Sequence, residues 1–127
     1  MNIPSQYLQL MPYLIVTGAE SFAQFTKNVF GAIDQALHKT DEKTVMHGEL
    51  RIGQAVLMYS DASEAWPEKT AALYLYVPDV NQVYEKALAQ GAKVLHTPEQ
   101  KEYGYAAGFA DPFGNHWFVV AANSDKG

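Results

Sequence analysis

Cysteine is absent from all 127 residues. That excludes disulfides, zinc–thiolate centres and thiol nucleophiles. Arginine is nearly absent too. Arg51 is the only one, which leaves little for bidentate clamping of phosphate or carboxylate. Lysine and arginine together number 9, scattered without a basic cluster, against 14 acidic residues and a net charge of -5. Nucleic acid is therefore not an expected partner. The longest convincing apolar run, "AALYLYV", is far too short to span a bilayer, so no membrane partner is expected either. The opening "MNIPSQYLQL" has no basic stretch leading into an apolar one. No secretory signal is expected, and the expected location is cytoplasmic.

What is present is apolar and aromatic. Hydrophobic residues make up 48%, aromatic residues 13% and charged residues 18%; the charged share lies below the usual ~25%. This profile predicts a compact globule, and the length fits one domain over 1–127.

The chain reads as two similar halves, 8–61 and 69–123. "LMPYLIV" is a buried strand. "TGAESFAQFTKNVFG" follows as a helix, with Thr17 and Glu20 at capping-box spacing. Phe22, Phe25 and Val29 share its apolar face, and Gly31 suits the position after its end. "AIDQALHK", "KTVMHGELRI" and "QAVLMYSD" are three strands, the last two joined around Gly53. A polar loop containing Trp66 leads to the second half. There "TAALYLYV" is a strand and "DVNQVYEKALAQG" a helix capped by Asp79. "AKVLHTP", "YAAGFAD" and "NHWFVVA" are strands, the last two joined by Asp-Pro-Phe-Gly-Asn. Matching landmarks keep a nearly constant spacing: Val16 to Val77 is 61 residues, Gly31 to Gly91 is 60, and Gly53 to Gly114 is 61. An internal repeat of β-α-β-β-β follows. The predicted class is α+β, with two βαβββ modules.

The residues "PYLIV", "FGA", "MHGELRIG", "LYVPDV", "GAKV" and "DPFGNHW", in this order, resemble the glyoxalase / bleomycin-resistance / extradiol-dioxygenase superfamily (the vicinal oxygen chelate fold), and its PhnB-like branch most. The resemblance spans about Met11 to Ala121. It implies that the two modules form a half-open mixed sheet or barrel around a central pocket and that chains pair as a homodimer. It also implies four inward metal ligands, one on the first and one on the last strand of each module. Those positions fall on Met11, Leu57, Ala72 and Phe118. Leu, Ala and Phe carry no donor, and the thioether of Met does not suit a hard divalent ion. No metal and no cofactor is therefore expected.

Strand alternation extends this placement. With Met11, Leu57, Ala72 and Phe118 inward, Tyr13, Tyr59, Tyr74, Tyr76 and His116 are inward too. These eight apolar and aromatic residues form the expected ligand-binding wall, with His116 beside them. His47, Glu49 and Arg51 share one face of their strand. A bulged turn at Gly53 puts them in the pocket; a two-residue hairpin turns them away. They read either as a general base with an orienting carboxylate or as a solvated face with a Glu49–Arg51 ion pair. His38 and His96 are expected at the surface.

The expected function is binding of a small, partly aromatic or apolar molecule without the usual divalent metal. One alternative is a lyase, isomerase or dioxygenase with a displaced catalytic site at His47, Glu49 and His116. A structural or interaction dimer is the other.

Overall fold

A computed structural model describes residues 1–123. The fold is α+β, and the chain divides into two compact units, one spanning Met1–Thr70 and the other beginning at Ala71. The first contains β1 (Tyr13–Val16), α1 (Ala19–Phe30), β2 (Ile33–Lys39), β3 (Val45–Ile52) and β4 (Ala55–Asp61). The second contains β5 (Ala72–Tyr76), α2 (Val80–Ala89), β6 (Lys93–Lys101), β7 (Gly104–Ala110) and β8 (His116–Ala122). The β-α-β-β-β repeat is thus present twice.

Each unit has one four-stranded mixed sheet, ordered β1-β4-β3-β2 in the first and β5-β8-β7-β6 in the second. The first strand of each unit pairs in parallel with the last, and the other pairs are antiparallel. Neither sheet closes on itself. Each has one face covered by its helix and one open face, and strand alternation sorts side chains between them.

The helix-covered faces hold the cores. Phe22, Phe25 and Val29 of α1 are buried as expected, with Ala19, Ala23 and Thr26 beside them. Leu14, Val16 and Leu50 are buried in the same unit. Fully burying a side chain such as Phe22 is worth roughly 1.5–3 kcal/mol. In α2, Val80, Val83 and Ala87 are buried, while Tyr84 and Leu88 are half-buried.

The helix ends are partly as read. Asp79 caps α2, its Oδ1 accepting from the Gln82 backbone N–H at 3.1 Å. Gly31 closes α1 at φ 71°, a left-handed conformation that glycine adopts without a Cβ penalty. The capping box at Thr17 and Glu20 is not formed. Gly18 is the N-cap of α1 and has no side chain of its own to cap it. The Thr17 hydroxyl instead donates to Glu68, and Glu20 pairs with Lys39 at 2.8 Å. The free N–H of Ala19 is taken by Asp61 Oδ1 at 2.9 Å, so β4 supplies the cap.

Strand β6 runs past Pro98 to Lys101. Proline is tolerated there because β6 is an edge strand, and the register shifts between His96 and Glu99. Among the described residues, no helix is long and apolar enough to cross a membrane.

Candidate functional site

The open face of the first unit is set by two registers. Parallel pairing puts Tyr13 beside Met58 and Ile15 beside Ser60. The β3–β4 hairpin pairs Ile52 with Ala55, Leu50 with Leu57 and Glu49 with Met58. This is the plain two-residue hairpin, with Gly53 at φ 58°, the left-handed angle such a turn requires. Tyr13, Ile15, His47, Glu49, Arg51, Met58 and Ser60 therefore share the open face; the hairpin turns His47, Glu49 and Arg51 away from Leu57, but Leu57 is the residue that leaves this face.

Leu57 and Tyr59 do not share it. Both lie on the helix side, 5% and 1% exposed, and the Tyr59 ring packs 5.7 Å from Phe22 of α1. The cause is turn length. The second unit joins its last two strands through five residues, since Ala110 pairs with His116, whereas the first uses two. Equal spacing from Gly53 and Gly114 thus lands on opposite faces, because one residue of offset inverts a strand's faces.

The polar groups of this face form one hydrogen-bond chain. His47 Nε2 lies 2.8 Å from Glu49 Oε2. The Tyr7 hydroxyl donates to the same oxygen at 2.8 Å, and Gln35 Nε2 donates to Oε1 at 3.0 Å. Arg51 donates to Gln35 Oε1 at 2.7 Å and to the Gln6 carbonyl at 3.1 Å. At the far end the Tyr13 hydroxyl lies 3.2 Å from His47 Nδ1.

Glu49 is only 3% exposed. Burial by itself pushes its pKa up, but the hydrogen bonds from Gln35, His47 and Tyr7, with the field of His47, outweigh burial and hold it below the usual carboxylate range. The solvated Glu49–Arg51 ion pair is not what forms. Glu49 is buried and its partners are Tyr7, Gln35 and His47. His38 is exposed, as expected, and stacks 6.3 Å from His47.

At one end of this face lies a concavity of about 490 Å³. Tyr13, Ile15, Met46 and Trp66 give it an apolar, aromatic lining, and Thr40, Thr44, Ser60 and Asp61 add polar groups. Trp66 is 68% exposed. Tyr13 belongs both to this lining and to the hydrogen-bond chain.

In the second unit, Ala72 pairs with His116, Tyr74 with Phe118 and Tyr76 with Val120. Ala72, Tyr74, Tyr76, His116 and Phe118 thus share an open face, as the alternation predicts. Tyr74 and Tyr76 meet edge-on at 5.6 Å and His116 meets Phe118 edge-on at 6.5 Å. His96 is half-buried rather than at the surface. It stacks 6.4 Å from Phe118, over Gly108, where an added Cβ would come within 3.0 Å of the imidazole and 3.1 Å of Phe118. His47 and Glu49 come together in the first unit. His116 belongs to the second unit's face.

The "DPFGNHW" motif is largely structural. The carboxylate of Asp111 accepts from the Phe113 and Asn115 N–H groups, from Asn115 Nδ2 and from Trp117 Nε1, all at 2.8–3.0 Å. Asn115 is fully buried and its Oδ1 accepts the Ala71 N–H at 3.0 Å.

With this geometry in hand, known proteins place the chain. The model of the Glyoxalase/Bleomycin resistance protein/Dioxygenase superfamily matches residues 7–119. The chain belongs to this superfamily. The uncharacterized protein Rv0887c of Mycobacterium tuberculosis is 30% identical over 120 residues, covering 85% of this chain and 71% of its own length. Among solved structures, PA1353 from Pseudomonas aeruginosa has a TM-score of 0.74 at 25% identity, over 92% of this chain and 99% of its own. TnmS3, an antibiotic binding protein from Streptomyces, has 0.72 at 21%, over 97% and 99%. A PhnB protein from Bacillus cereus has 0.74 at 19%, over 91% and 100%. The last two show a shared fold.

The divalent metal that the superfamily resemblance implies does not fit the residues present. Leu57, Ala72 and Phe118 offer no donor atom, Met11 offers only a soft thioether, and Leu57 faces α1 rather than the open face. Among the described residues, no three His, Asp or Glu side chains gather in a way that could hold an ion.

Proposed function

We propose that this superfamily member binds a small, partly aromatic or apolar molecule without a divalent metal. The observation that carries this reading is the concavity walled by Tyr13, Ile15, Met46 and Trp66. Its volume, about 490 Å³, falls within the ~300–1,000 Å³ of ordinary small-molecule sites. Tyr and Trp rings favour a flat ligand by stacking, and the hydroxyls at the edge give orientation. The fold shared with an antibiotic binding protein supports the same kind of role. Tyr74, Tyr76 and Phe118, beside Ala72, supply a second aromatic surface of similar character. Leu57 and Tyr59 are left out because α1 covers them.

A thermal-shift screen of planar aromatic compounds tests the reading, followed by titration of hits against the emission of Trp66. Expected are hits that raise the melting temperature, quench Trp66 and bind more weakly to Trp66→Ala. A screen without any such hit ends the proposal. The homodimer implied by the family resemblance is checked by sedimentation, where only monomer would remove it.

The His47–Glu49 pair favours one second reading, a metal-free lyase or isomerase in which the oriented imidazole moves a proton through Tyr13. Turnover that survives His47→Ala would reject it.

A further inference from the structure

The hydrogen-bond chain on the first unit's open face has a direction, and its direction fixes what Tyr13 offers to a ligand. Arg51 can only donate. Its bond to Gln35 at 2.7 Å therefore ends on the amide oxygen, and the amide nitrogen of Gln35 must face Glu49, 3.0 Å away. Glu49 receives that N–H on one oxygen and the Tyr7 hydroxyl on the other. A carboxylate so surrounded is an acceptor, so the contact from His47 Nε2 at 2.8 Å carries the ring proton on Nε2. In the neutral imidazole this leaves Nδ1 bare. Tyr13, 3.2 Å from Nδ1, must then point its own proton at the ring. The lone pairs of its oxygen are what remains for a ligand.

We infer that Tyr13 presents a hydrogen-bond acceptor to the concavity, which selects flat rings bearing an O–H or N–H donor over rings bearing only acceptors. The inference rests on the concavity being a binding site and adds the polarity of its ligand. An acceptor-only ligand sets its lone pair against that of Tyr13 and forgoes the hydrogen bond that a donor makes there. The same chain explains a carboxylate nine-tenths and more buried on this sheet face. Glu49 fixes the tautomer of His47, and His47 fixes the hydroxyl of Tyr13.

Two measurements test this. Nitrogen-15 NMR of the ligand-free protein at about pH 8, above the ordinary imidazole range, reads the tautomer of His47, with signals assigned by their loss in His47→Gln. The Nε2–H form is expected; the Nδ1–H form overturns the inference whatever the ligand. The second uses 1-naphthol and 1-methoxynaphthalene, which share a ring system and differ in the donor. Naphthol is expected to bind roughly fivefold or more tighter, the scale of one good hydrogen bond. Tyr13→Phe should bring the two affinities together, weakening the naphthol and relieving the mismatch of the ether. Equal binding of both to the unaltered protein overturns the inference and leaves the binding site standing. Failure of both to bind removes the binding reading at this concavity and the inference with it.

Discussion

His47 holds its Nε2 2.8 Å from Oε2 of Glu49, two residues along the same strand. The pair faces away from α1, yet Glu49 is 3% exposed. Tyr7 from the segment before β1 and Gln35 from β2 close over the carboxylate. A buried charge is tolerated only when its lone pairs are satisfied, and here three donors satisfy them.

Removing that acceptor should be costly. Glu49→Ala leaves Tyr7, Gln35 and His47 aimed at an empty site, and the expected loss is about 2–4 kcal/mol in urea unfolding. The pH dependence has a definite sign. The folded pKa of Glu49 is depressed, so its contribution is full above the unfolded value near ~4.3. It is lost as pH falls through the folded value. The acid limb of the stability curve should be steeper in the parent than in Glu49→Gln. Parallel acid limbs would show that Glu49 is not held in its charged form.

The repeat, both helices, all eight strands and the superfamily could be read from the residues, because periodicity and the caps at Gly31 and Asp79 are local signals. The open face of the second unit could be read as well. Leu57 and Tyr59 could not be placed, because facing depends on turn length and one residue of difference inverts it. Thr17 and Glu20 have the right spacing for a capping box, but Asp61 and Lys39 compete for the same groups from other strands. His96 reads as peripheral because proline commonly ends a strand, whereas β6 is an edge strand and accommodates Pro98. Tyr7 and Gln35 left no signal at all. Tyr7 lies in an irregular segment without periodicity, and only tertiary folding brings either residue to Glu49.

Tyr59 carries a second pH signature, with the opposite sign. Burial, reinforced by the carboxylates of Asp34, Glu20 and Asp61, pushes its hydroxyl from 10.0 up to about 12. The folded chain thus retains a proton that the unfolded chain releases. This stabilisation is complete below pH 10.0 and disappears as pH rises to about 12. Across that window the parent should lose stability faster than Tyr59→Phe, measured as the shift of the urea midpoint with pH. Equal alkaline slopes in the two proteins would show that the Tyr59 hydroxyl titrates normally.

The Tyr59 ring also dictates the residue opposite it. Gly48 pairs with Tyr59 across the β3–β4 ladder, and a Cβ built on Gly48 would collide with the ring carbons and hydroxyl of Tyr59. The ring is held in place, 1% exposed and packed on Phe22. Glycine inside a strand ordinarily weakens it, so an alanine there would be stabilising if space allowed. Here overpacking dominates, at about 1–3 kcal/mol. Gly48→Ala should therefore lower the urea midpoint. Gly48→Ala combined with Tyr59→Leu should recover part of the loss relative to the sum of the single changes, because the second substitution removes the clash. Strict additivity in that double-mutant cycle would place the cost of Gly48→Ala somewhere other than the ring.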